Sequence, residues 1–143
     1  MSLILRGFLL FILLYLISDV LVLKSGFGIT FEAVNTTLKG NEELYIDAMN
    51  EASFLEFWHT QIFFIMMILL TLSSIFIRVA NRSRAILTNA LMLSAITSLI
   101  SLPLTFYLSN FFTYIYVIAY FFWHAIALYM ILYALWKLNA TSV

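Results

Sequence analysis

Long apolar runs separated by short polar stretches dominate this chain. The first is "GFLLFILLYLISDVLVL", residues 7–23, which holds a single charged side chain, Asp19. Three more follow at 57–77, 85–108 and 111–136. A helix needs roughly 17 to 25 apolar residues to cross the hydrocarbon of a bilayer, and each run meets that length. The runs are continuous rather than alternating, which points to helices and not to barrel strands. The pattern therefore predicts an all-α integral membrane protein. Its expected form is one domain over residues 1–143, a four-transmembrane-helix up-down bundle. The first run has Arg6 before it, as a secretory leader would. No small-x-small cleavage site follows, and "SDVLVLK" carries the apolar run further than a leader needs. It is expected to be retained.

Residues 24–56 form the one long polar connection. "TFEAVNTTLKG" has Thr30 placed as an N-cap, Glu32 in the first turn, Lys39 in the last and Gly40 just past the end. Phe31, Val34 and Leu38 share a face at helical spacing. A short amphipathic helix is expected there. Asn41, with Glu42 and Glu43 behind it, signals a second helix start. That helix would run along Leu44, Ala48, Ala52 and Leu55 and merge with the second span. Together the two would make a flap over the outer mouth of the bundle, or lie on the headgroups. The third and fourth spans are joined by only "YLSNFFTY" and must form an antiparallel hairpin. Pro103 removes a backbone donor inside the third span and predicts a kink. Ser98 and Ser101 are candidates to satisfy the freed carbonyl.

Composition agrees with the pattern. Hydrophobic residues make up 64% of the 143 and charged ones 10%, against about 25% charged in an ordinary soluble domain. The few charges still carry information. Arg6, Arg78, Arg82, Arg84 and Lys137 fall on one side of a chain that crosses four times, and Lys24 and Lys39 on the other. The positive-inside rule then puts the N-terminus and C-terminus in the cytoplasm, in a bacterial inner membrane. Cysteine is absent, which excludes disulfides, thiolate metal sites and cysteine nucleophiles. No Gly-rich phosphate loop, H-E-x-x-H pair or G-x-S-x-G elbow occurs. The scattered basic residues give no footprint for nucleic acid.

Polar side chains inside the spans are what remains, and such residues usually face the bundle interior or water. At 1.5 Å per residue, Asp19 and His124 both lie roughly 20 Å from the cytoplasmic anchors. Gln61 comes at about 25 Å, His59 at about 28 Å, and Thr97 and Ser98 at about 20 Å, with Ser101 higher. Asp19, Gln61, Thr97, Ser98 and Ser101 thus outline a polar pocket in the outer half of the bundle. His59 and His124 are candidate ligands for haem b, or walls of a quinone pocket, held between the second and fourth spans. Their depths differ by about 8 Å, which strains that pairing. Asp19 and His124 match in depth, so the carboxylate would hold the imidazole charged or fix its tautomer. A zinc or copper ion would need more ligands, and His59, Glu56, Asp19 and His124 are the candidates. The dense aromatics of "NFFTYIYVIAYFFWH" suit either a cofactor pocket or bundle packing.

Three functions fit these residues, in this order. The first is a non-enzymatic accessory or binding subunit, with a membrane-protein partner or a second copy of itself beside it in the bilayer. The second is a haem b or quinone redox protein using His59 and His124. The third is a small proton-coupled carrier using Asp19 and His124.

Overall fold

A computed structural model describes residues 2–80 and 85–140. Arg82 and Arg84, counted above among the cytoplasmic anchors, lie outside the described residues. Four long helices cross the fold: α1 (Ser2–Ser25), α3 (Glu51–Val79), α4 (Ala85–Tyr107) and α5 (Phe111–Ala140). All four are long and apolar enough to span a membrane. A short α2 (Phe31–Lys39) sits between the first two. No strand occurs among the described residues. The helix α5 touches each of the other four, whereas α1 and α4 both flank it and α3. Arg6 near the start of α1 donates from Nη2 to the carbonyl of Leu138 near the end of α5, 2.9 Å away. The ends of the bundle are thereby joined on one side.

The spans are apolar all round, so a hydrophobic stripe does not choose the inward face. The buried positions nonetheless alternate in steps of three and four. On α1 they are Leu9, Ile12, Leu16, Asp19 and Leu23; the broader buried face of α5 includes such a series, Thr113, Tyr116, Tyr120, Trp123, Ala127 and Met130, flanked by Ala119, His124 and Ile126. This is the seam spacing of coiled-coil packing. The inward face of α4 is marked by small and hydroxyl residues: Thr88, Ser94, Ala95, Ser98, Ser101 and Thr105. Small side chains let membrane helices approach closely, and α4 and α5 form the closest pair in the fold. The outward positions, such as Phe11, Leu14, Leu70, Leu93 and Ile118, remain exposed and face hydrocarbon.

The outer connection folds down as a cap on the bundle's mouth. Thr30 Oγ1 accepts from the Ala33 amide at 3.3 Å and starts α2. Val34 and Leu38 are buried against Phe27, Phe54, Leu102 and Tyr116. Thr113 Oγ1 donates to Asn35 Oδ1 at 2.7 Å, and the rings of Phe31 and Tyr114 stack at 3.7 Å. The second helix expected from Asn41 does not form. Asn41 caps only a single 3₁₀ turn, Glu42–Leu44. Tyr45 then takes a left-handed conformation, φ 53°, and Asn50 begins α3 afresh. A backbone bridge between Asn41 and Ile46 competes with the helix here and wins. Leu44, with Ala48, Ala52 and Leu55 of the expected stripe, is exposed rather than packed.

Pro103 lies inside α4. It has no amide hydrogen, so the carbonyl of Leu99, four residues earlier, loses its helical donor. Neither serine supplies one. Ser101 Oγ donates to Thr97 O within α4, and the indole Nε1 of Trp58 on α3 donates to Leu99 O at 2.8 Å. The proline's missing bond thus becomes a tie between α3 and α4. Trp58→Phe is expected to destabilise the fold by about 1–2 kcal/mol by stranding that carbonyl. In a Pro103→Ala background the helix satisfies Leu99 O itself, and Trp58→Phe should then cost less than half as much. Unfolding titrations of the four proteins in mixed detergent micelles read the difference.

Candidate functional site

Asp19 occupies a seam position on α1 and faces α5, where it is 7% exposed. Its carboxylate gathers side chains from both helices. Tyr15, one turn earlier on α1, donates its hydroxyl to Oδ1 at 3.3 Å. Tyr120 on α5 donates to Oδ2 at 3.0 Å. Nε2 of His124, one turn after Tyr120, lies 3.2 Å from the same Oδ2. The cluster is two helical i, i+4 pairs, Tyr15 with Asp19 and Tyr120 with His124, laid face to face. Residues at that spacing share one side of a helix, so each tyrosine arrives with its neighbour.

The protonation of His124 follows from its other nitrogen. Nδ1 is 2.9 Å from the backbone carbonyl of Tyr120, and a carbonyl only accepts. Nδ1 therefore carries a hydrogen. Nε2 is left as the ring nitrogen that faces the carboxylate. The imidazole and the carboxylate are close but not in line, and Nε2 completes no well-directed hydrogen bond. Trp123 is fully buried beside the ring, with centroids 3.8 Å apart, and Tyr120 packs on it at 4.1 Å.

The other candidate residues do not join this cluster. Thr97 is exposed, and its hydroxyl donates to Leu93 O at 2.7 Å. Ser98 and Ser101 are buried on the inward face of α4, and Ser101 bonds its own helix. Gln61 is half-buried on α3. Phe27, Phe54, Tyr116 and Tyr120 pack together under the cap. His59 and Glu56 are exposed on α3. No group of three or more metal-ligating side chains occurs among the described residues. Tyr15 was not singled out from the sequence, although its spacing to Asp19 was a usable signal.

An opening on the lipid-facing side reaches His124. An apolar groove of about 420 Å³ runs between α1 and α5. Ile17, Val20 and Leu21 form one wall and Phe121, Ala125 and Leu128 the other; His124 is the one strongly polar side chain lining it. Ile17, Leu21, Phe121 and Leu128 are each at least 42% exposed, so the groove opens sideways into the bilayer.

Four spans, an outer cap and a buried polar cluster define a small multi-pass helical membrane protein. The chain belongs to the Aq_1264_TM family, whose model, a transmembrane helical domain, matches residues 28–142. No curated protein and no solved structure matches it.

Replacing Asp19 by leucine removes the acceptor of both tyrosine hydroxyls and the partner of His124. Asp19→Leu should destabilise the bundle by about 1–3 kcal/mol. Asp19→Asn keeps an acceptor for the tyrosines and should cost less. Detergent unfolding of the two variants gives the order, and equal stability of Asp19→Leu and the wild type would show that the cluster does not hold α1 to α5.

Proposed function

We propose that the protein is a non-enzymatic binding subunit of the membrane that takes a lipophilic ligand sideways into the groove between α1 and α5. What supports this is the double membership of His124. Its ring belongs to the Asp19 cluster and also to the wall of a lipid-facing groove. Small-molecule sites are mostly apolar hollows of about 300–1,000 Å³ with a few placed polar groups, and this groove has that form. Its walls suit a hydrocarbon tail. Beside them lies the His124 imidazole, the one strongly polar group of the lining, which suits a head group able to hydrogen-bond. Lipid-soluble carbonyl compounds of the quinone class combine the two. His59 is not needed for such a site. The end bearing Arg6, Arg78 and Lys137 is cytoplasmic by the positive-inside rule, and the capped end faces outward from a bacterial inner membrane.

Equilibrium binding of a decyl-tailed benzoquinone to the detergent-purified protein tests this. Saturable binding is expected. Ala125→Phe fills the groove and His124→Leu removes its polar contact; each should weaken binding about tenfold, the worth of one desolvated hydrogen bond or of comparable lost packing. Ile118→Phe, on an exposed face of α5 outside this groove, should leave it unchanged. Binding that does not saturate, or that Ile118→Phe weakens while Ala125→Phe does not, would overturn the proposal.

A further inference from the structure

The cap carries a surface that the bundle does not use. Between Gly40 and Asp47 the chain closes into a tight turn. The Asn41 amide donates to Ile46 O at 2.8 Å, and the Ile46 amide returns a bond to Asn41 O at 3.0 Å. The Asn41 side chain accepts from the Leu44 amide at 3.2 Å. Gly40, at φ 77°, lets the turn fold back on itself, since a Cβ there would lie 2.8 Å from Ala48 N and Ile46 O. This much local bonding would ordinarily serve to bury side chains. Here it does the opposite. Leu44 is 62% exposed, Tyr45 96% and Ile46 43%. Tyr45 also sits at positive φ, a conformation costly for a bulky residue and kept mainly where structure or function demands it.

The rim of this apolar tip is acidic. Glu42, Glu43 and Asp47 are exposed around it, and no Lys or Arg occurs between Lys39 and Arg78. Lys39 itself is turned back onto the carbonyl and ring of Phe106. The charge decides what covers the tip. Segments that lie on a bilayer surface carry basic residues on their polar face, and this rim has none. A protein face with a basic rim and an apolar socket attracts the three carboxylates, and buries the leucine, tyrosine and isoleucine together. Aromatic and apolar anchors within a charged rim are the ordinary anatomy of such contacts.

From these observations we infer that the turn at residues 41–47 is a docking surface for a partner protein on the capped side, one presenting a basic rim around an apolar socket. The inference is independent of the ligand groove. It is tested in cells producing the full chain, with a photoreactive benzoylphenylalanine at position 45. A discrete adduct with another protein is expected. The paired change Leu44→Ser and Ile46→Ser should reduce it about tenfold or more, the worth of burying a leucine-sized side chain. Charge reversal by Glu42→Lys, Glu43→Lys and Asp47→Lys should abolish it, while Glu56→Lys, which lies outside the turn, should not. Detergent unfolding checks that each variant stays folded. An adduct with lipid alone, an adduct only with a second copy of this chain, or a partner adduct indifferent to charge reversal would overturn the inference.

Discussion

A carboxylate in the hydrocarbon layer has no water to fall back on, and the seating of α1 depends on how Asp19 is satisfied. Polar groups in a bilayer must find partners within the protein. Asp19 finds one on its own helix and two on α5. The α1 helix meets the rest of the bundle mainly through α5 and α3, and its outward side is apolar from Leu3 to Ile17. Nothing in the apolar packing alone fixes its rotation, because leucine is as comfortable against lipid as against another helix. The buried aspartate does fix it. Turning α1 by one residue, about 100°, would take the carboxylate from its two partners on α5 into lipid.

The same rule accounts for ties elsewhere. Pro103 strands a carbonyl and Trp58 recovers it from the neighbouring helix. Ser94, Thr97, Ser101 and Thr105 return their hydroxyls to α4's own backbone. They can therefore lie in a dry interface or against lipid without an outside partner. At the end away from the cap, Arg6 turns back to the last turn of α5. Each tie is a polar group satisfied within the protein, and three of these groups, Asp19, Trp58 and Arg6, bind one helix to another.

Much of this could be seen in the sequence, for reasons tied to length and depth. Run lengths and continuity are properties of one helix at a time, so the four spans are legible, as are the Thr30 cap and Gly40. Counting residues along the helices set Asp19 and His124 at one level, and the two are in contact. The inward faces were not legible, since apolar residues surround every span. The steps of three and four stand out only once burial is known. Thr97 and Ser101 could not be separated by composition, yet one meets lipid and the other is buried. The helix expected after Asn41 failed because a six-residue backbone bridge takes its place, a local turn that capping signals do not record. Trp58 had every mark of an interfacial residue. Its role depends on a proline in another helix.

The contact between Asp19 and His124 is the claim on which the cluster rests, and nitrogen-15 magnetic resonance of the two imidazole nitrogens of His124 in lipid bilayers tests it most directly. If the pair is as described, Nδ1 carries a hydrogen throughout, and the Nε2 resonance moves when Asp19 is changed to asparagine. A ring protonated on Nε2 alone, with its resonances indifferent to residue 19, would mean that His124 is not seated against Asp19 as described.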